Sequence, residues 1–122
     1  METLIIFLLP FLVQVESNGD LNAVGDNGKA KGCLQLWEVY IKDVNRVYKT
    51  SYSHDDAFDK YKAHEITYLY LLHYGKHYER TTGKPVTLEV LAKIHNGGPR
   101  GYNKPATEKY WKKVLVLTKK RV

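Results

Sequence analysis

Apolar positions recur at three- and four-residue steps along most of the chain, and the spacing predicts helices. Leu36, Trp37, Tyr40, Val44 and Val47 form one stripe, with Glu38, Lys42, Asp43, Asn45 and Arg46 facing away, so a helix is expected over residues 34–50. Ser53 with Asp56 supplies a cap and an acidic first turn. A second helix is expected from there to about Arg80, its apolar side carried by Phe58, Tyr61, Ile66, Leu69, Leu72 and Tyr74, with Gly75 a potential break. Thr87 caps a short helix with the stripe Leu88, Leu91, Ala92 and His95, and a last helix from about Ala106 shows Tyr110, Trp111, Val114, Leu115 and Leu117. Residues 4–13, LIIFLLPFLV, have no polar face. They read either as a targeting segment, with residues 1–9 its remnant, or as a buried first helix that kinks or starts at Pro10. A bilayer span needs about 20 residues, more than this run offers.

Two glycine-rich stretches interrupt the helical pattern. Residues 17–32, SNGDLNAVGDNGKAKG, hold four of the nine glycines with Asn18, Asn22 and Asn27, so an irregular loop or a small hairpin is expected. Residues 96–105, NGGPRGYNKP, form the second. The expected fold is mainly α, with at most one small β-hairpin.

Composition narrows the class. A chain of 122 residues fits one domain, and 43% hydrophobic residues exclude disorder. The single cysteine excludes an internal disulfide framework and a multi-cysteine zinc site, and Cys33 reads as a small buried hydrophobe. A net charge of +6 points to an anionic partner, whether nucleic acid, an acidic membrane surface or a bacterial wall. Lys112, Lys113, Lys119, Lys120 and Arg121 make a basic edge near the end of the sequence. Neither glycine loop carries a phosphate-cradle motif. His73 and His77 have the spacing of two metal ligands on a helix, without a suitable third, so no metal and no cofactor is expected.

Two carboxylates stand in contrasting settings, one able to keep a carboxyl neutral and one able to keep it charged, the division of labour used to cleave glycosidic bonds. Glu16 follows Leu12, Val13 and Val15, a half-apolar setting of the kind that favours a neutral acid able to protonate a leaving group. Asp26 lies in a polar, glycine-flanked setting that suits a charged carboxylate. On the residues alone, Glu16 reads first as a solvated helix end, and Asp26 first as a turn residue of D-N-G. His95, at the mouth of the second loop, reads as a ligand-orienting or a capping histidine. Ten tyrosines and two tryptophans suit a carbohydrate groove.

The string Val15-Glu16-Ser17-Asn18-Gly19, followed by Gly32-Cys33-Leu34-Gln35-Leu36, resembles the E-S-x-G … G-x-x-Q-[LI] signature of lysozyme-like muramidases and lytic transglycosylases. Residues 91–101, LAKIHNGGPRG, resemble the A-R-x-H-N-G-G-P-N-G segment of invertebrate-type lysozymes and, more loosely, the Y-N-A-G-P of bacterial transglycosylases. Residues 107–114, TEKYWKKV, are similar to the T-x-x-Y-W-x-x-V stretch that follows. The resemblance implies a mainly α (α+β) lysozyme fold, a helical domain with a substrate cleft, that cleaves the β-1,4 bond between N-acetylmuramic acid and N-acetylglucosamine. Glu16 would be the general acid and Asp26 the second carboxylate. Ser17 would support Glu16, while Gln35, His95, Asn96 and Tyr102 would contact the saccharide. The implied partner is bacterial peptidoglycan, met outside the producing cell or after delivery to the wall. The chain would act as a monomer, without nucleic acid and without stable membrane insertion.

The chain departs from the family in two ways. Invertebrate-type lysozymes carry many disulfides and this chain can form none within itself, which resembles a bacterial, phage or acquired relative. Asp26 stands at a shifted offset in D-N-G-K-A-K-G against D-x-G-S-x-x-x-G. That leaves two further readings beside hydrolysis: a lytic transglycosylase that forms 1,6-anhydro ends with one carboxylate, and a cationic wall-binding protein without catalysis.

Overall fold

A computed structural model describes residues 1–120; Arg121 of the basic edge lies outside the described residues. Among these, five helices and one two-stranded hairpin occur, as the mainly helical reading expects: α1 Glu2–Ser17, β1 Val24–Gly25, β2 Ala30–Lys31, α2 Glu38–Tyr48, α3 Lys60–Thr82, α4 Leu88–Gly97 and α5 Thr107–Lys120. Short 3₁₀ turns occupy Asp26–Gly28, His54–Phe58 and Gly101–Asn103. The chain divides into two compact units, Met1–Leu12 with Leu71–Val122, and Val13–Tyr70. No helix among the described residues is long and apolar enough to cross a membrane.

α1 is one continuous helix that holds Pro10 in its interior, so it does not start at Pro10. Proline removes the bond to the carbonyl of Ile6, one turn earlier. Both Pro10 and Ile6 are exposed, which lets water take up the freed carbonyl. The opposite side buries Ile5, Leu8, Leu9, Phe11 and Leu12.

In the unit Val13–Tyr70, the expected helix over residues 34–50 begins four residues late. Gln35 has φ +52°, and the chain doubles back so that Lys31 and Leu36 pair as an isolated antiparallel bridge. Leu34 and Leu36 are buried by this turn, outside any helical stripe. Trp37 is the N-cap of α2 and stays 40% exposed, which corrects its placement on the buried face. Next to the turn, Ser53 and Asp56 close a reciprocal capping box on the 3₁₀ turn His54–Phe58. α3 begins only after it, at Lys60.

Along α3 the buried positions are Ala63, Ile66, Thr67, Tyr70, Leu71, Gly75 and Tyr78, a stripe set partly by small and polar residues. Tyr61, expected on this face, is 81% exposed. Gly75 does not break the helix: a Cβ there would lie 2.9 Å from the Met1 sulfur, so its missing side chain gives α1 room to pack.

The unit Met1–Leu12 with Leu71–Val122 is closed by α4 and α5. Thr87 caps α4 by accepting from the Val90 N–H, as its position predicts. Gly101 lies where a Cβ would meet the Lys93 carbonyl oxygen at 1.9 Å, so the glycine loop can lie directly on α4. Lys93 is buried, and its ammonium donates to Glu89 and to Glu108, each at 2.6 Å, tying α4 to α5. The hydrogen bond to Lys93 holds the Glu108 carboxyl below its ordinary value of 4.5, and the two carboxylates raise Lys93 above 10.5.

These shifts fix a sign. The Glu108 contribution to stability is present above pH 4.5 and is lost as pH falls through its lowered value. The Lys93 contribution is present below pH 10.5 and is lost at higher pH. Glu108→Gln is therefore expected to lower Tm by a few degrees at neutral pH. In thermal melts across pH, that difference should vanish as the solution is acidified well below 4.5.

Candidate active site

The last turn of α1 delivers Glu16 and Ser17 side by side, both half-buried. Ser17 Oγ lies 2.8 Å from the Cys33 carbonyl and 3.3 Å from that of Val13, and it accepts from the Gly19 N–H at 3.2 Å. A hydroxyl has one proton, and the shorter contact takes it. The helix end that carries Glu16 is thus locked to the Gly32–Gln35 turn, so the E-S and G-x-x-Q segments meet in space.

Gln35 completes the turn from the other side. Its left-handed backbone and both amide protons are used locally, with Nε2 donating to Ala23 at 3.2 Å and to Gly32 at 3.0 Å. The side chain therefore clamps the hairpin to the turn, a positioning role that motif matching alone does not disclose. Cys33 between them is buried, and burial pushes its thiol up, away from the reactive thiolate, in line with a small buried hydrophobe.

Asp26 sits at the hairpin tip in a left-handed conformation, followed by Asn27 at φ +57° and Gly28 at φ +88°. Its carboxylate is exposed and accepts from the indole N–H of Trp37 at 3.3 Å. Lys29 Nζ lies 5.6 Å from the centre of the same ring. An open groove of about 480 Å³ runs beside this tip, lined by Gly28, Lys29, Trp37, Glu38, Val39, Lys42 and His54. Trp37, which the helical reading assigned to the core, instead lines this groove. Its signal in the sequence is the acidic Glu38 directly after it, which marks the first turn of α2 and makes Trp37 a cap.

A second pair joins Tyr40 of one predicted stripe to Tyr70, which the other predicted stripe left out. Tyr40 and Tyr70 stack at 3.6 Å with rings 12° apart, and both are buried. Burial above all, and then the neighbouring Tyr70, raise the Tyr40 phenol well above its ordinary value, against the favourable Thr67 hydroxyl. Tyr40 is therefore neutral at any physiological pH.

The remaining candidates belong to the other unit. His95 is buried in the last turn of α4, Asn96 is exposed beside it, and Tyr102 meets Tyr78 edge-on at 4.7 Å. Lys104 Nζ donates to the Gly97 carbonyl at 2.7 Å, and Thr107 Oγ1 lies 2.8 Å from the carbonyls of Gly101 and Lys104. These bonds order the second glycine loop. His73 and His77 flank Tyr74 edge-on, and among the described residues no group of three or more His, Cys, Asp or Glu side chains could hold a metal ion.

No family model matches the chain. It is 51% identical to a lysozyme of Magallana gigas over 41 residues, which is 34% of this chain and 30% of that protein. It is 41% identical to a lysozyme of Meretrix lusoria over 45 residues, or 37% of each. These matches, with one to lysozyme 1 of Crassostrea virginica, span only 22% to 37% of the curated relatives' length. In the crystal structure of Aeromonas hydrophila PliI in complex with Meretrix lusoria lysozyme, a chain matches with a TM-score of 0.67 and 31% identity. That match covers 88% of this chain and 84% of the other.

Proposed function

The chain belongs to the lysozyme-like superfamily, alongside the invertebrate-type lysozymes, and on that premise we propose that it is a peptidoglycan glycosidase. The reading is that it hydrolyses the β-1,4 bond between N-acetylmuramic acid and N-acetylglucosamine, acting as a monomer at the bacterial wall outside the cell that makes it. The observation that carries the proposal is the lock between Ser17 and the Gly32–Gln35 turn, which holds Glu16 at a fixed, half-buried helix end.

In this mechanism the Glu16 carboxyl gives its proton to the glycosidic oxygen as the bond breaks. The Asp26 carboxylate faces the positive charge that develops on the sugar, and water completes hydrolysis, returning a proton to Glu16. Trp37 holds Asp26 by a neutral donor, which leaves the carboxylate's charge in place. For the other unit the proposal assigns saccharide contact to His95, Asn96 and Tyr102, and Gln35 acts by fixing the turn beneath Ser17.

Clearing of purified sacculi tests the activity: the wild-type chain should solubilise them, and retention on the wall without release would identify a non-catalytic binder. Asp26→Asn tests the second carboxylate. If Asp26 serves hydrolysis, the variant should lose about 10²-fold or more in the rate of reducing-end formation. If the reaction is transglycosylation, products carry 1,6-anhydro ends, lighter by one water, and Asp26→Asn leaves their rate unchanged.

A further inference from the structure

The net charge of +6 is unevenly held. The unit Met1–Leu12 with Leu71–Val122 contains twelve Lys and Arg against four Asp and Glu, whereas Val13–Tyr70 contains seven against nine. All of the positive excess lies in the unit that does not carry Glu16 and Asp26, and its densest part is one helix face. Lys109, Lys112, Lys113, Lys119 and Lys120 of α5 are all exposed. At 3.6 residues per turn they fall within roughly a third of the helix circumference, along a line of about 16 Å. The other side of α5 buries Tyr110 and Val114, which fixes the direction in which this strip faces. The one acidic residue of the helix, Glu108, is held by Lys93 at 2.6 Å.

We propose that this strip docks the chain onto the phosphodiester polymers of the bacterial wall; the proposal rests on the wall-directed reading above. Its chemistry favours a flexible, repeating phosphate chain. Lysines are mobile point charges that meet phosphates without demanding a fixed geometry. Among the described residues the strip holds no arginine, asparagine or glutamine to read base edges, and Trp111 is half-buried rather than presented for base stacking. Its lone exposed apolar residue, Val116, is too little to anchor in a bilayer, since the apolar side of the helix faces the protein. Docking through α5 would hold the chain on the wall and raise the local concentration of glycan strands around the other unit.

The test measures binding of the full chain to purified poly(glycerol phosphate), without peptidoglycan, over a range of salt. Wild type should bind, with affinity falling linearly in log–log form as salt rises. The variant K109Q/K112Q/K113Q/K119Q/K120Q, whose fold is checked by circular dichroism, should bind at least about tenfold more weakly at low salt. Its slope should be shallower by about 0.7 for each lysine engaged. K49Q/K60Q/K62Q, which removes three lysines of the other unit, should bind as wild type. Equal binding by the five-glutamine variant would overturn the proposal, as would tighter binding of wild type to duplex DNA or to anionic lipid vesicles than to the polymer. A chain that binds the polymer but leaves sacculi intact refutes the glycosidase reading alone. One that clears sacculi but ignores the polymer refutes the docking strip alone.

Discussion

Glu16→Gln is expected to slow wall clearing by about 10²–10⁴-fold, the usual contribution of a positioned general acid. Glutamine keeps the size of the side chain and removes only the transferable proton. The lock that orders this helix end runs through the Ser17 hydroxyl, so the substitution leaves it in place. Tm should accordingly stay close to that of wild type while the rate collapses. A variant that melts early would point to a structural Glu16 instead. Ser17→Ala offers the converse case, since it unties the helix end from the Cys33 carbonyl and should lower both rate and stability.

Gly32→Ala is expected to be the most damaging single change to the unit that holds Glu16. Gly32 has φ +80°, where any residue with a Cβ loses about 1–2 kcal/mol. A Cβ there would also lie 1.8 Å from the Ala57 carbonyl oxygen, backbone that cannot swing aside. Overpacking of this kind costs about 1–3 kcal/mol. Together these give a loss of about 2–5 kcal/mol, a large share of the roughly 5–15 kcal/mol that holds a domain together. Gly28→Ala is the control, because Gly28 has φ +88° but open space around it. It should lose only the conformational part, about 1–2 kcal/mol. Urea unfolding of the pair separates the two causes, and equal losses would show that the contact with Ala57 is unimportant.

Much of the architecture is legible in the sequence because it is written locally. The stripes of α4 and α5, the Thr87 cap and the Ser53–Asp56 box each depend on residues within one turn of each other. The hairpin announces itself through D-N-G, where Asp26, Asn27 and Gly28 adopt the positive φ that such residues tolerate. The errors come from tertiary demands. Leu34 and Leu36 match a helical stripe by spacing, yet the backbone of Gln35 turns left-handed to close the bridge to Lys31. α3 buries Ala63 and Gly75 rather than Tyr61, because close approach of neighbouring chain favours small residues over large apolar ones.

The site divides in the same way. Glu16 and Ser17 are visible through a short motif, and their attachment to the Gly32–Gln35 turn follows from it. The inward use of the Gln35 amide is hidden, since its partner Ala23 lies twelve residues away in an irregular loop. Trp37 against Asp26 and Tyr40 stacked on Tyr70 are likewise pairings across elements, which no periodicity encodes.

Glu16 is expected to drive cleavage of the bond between N-acetylmuramic acid and N-acetylglucosamine. Mass spectrometry of the fragments released from purified peptidoglycan by wild type and by Glu16→Gln tests it most directly. Wild type should release muropeptides that end in reducing N-acetylmuramic acid, and Glu16→Gln should release almost none. Equal release by both proteins, or fragments cut at a different bond, would contradict it.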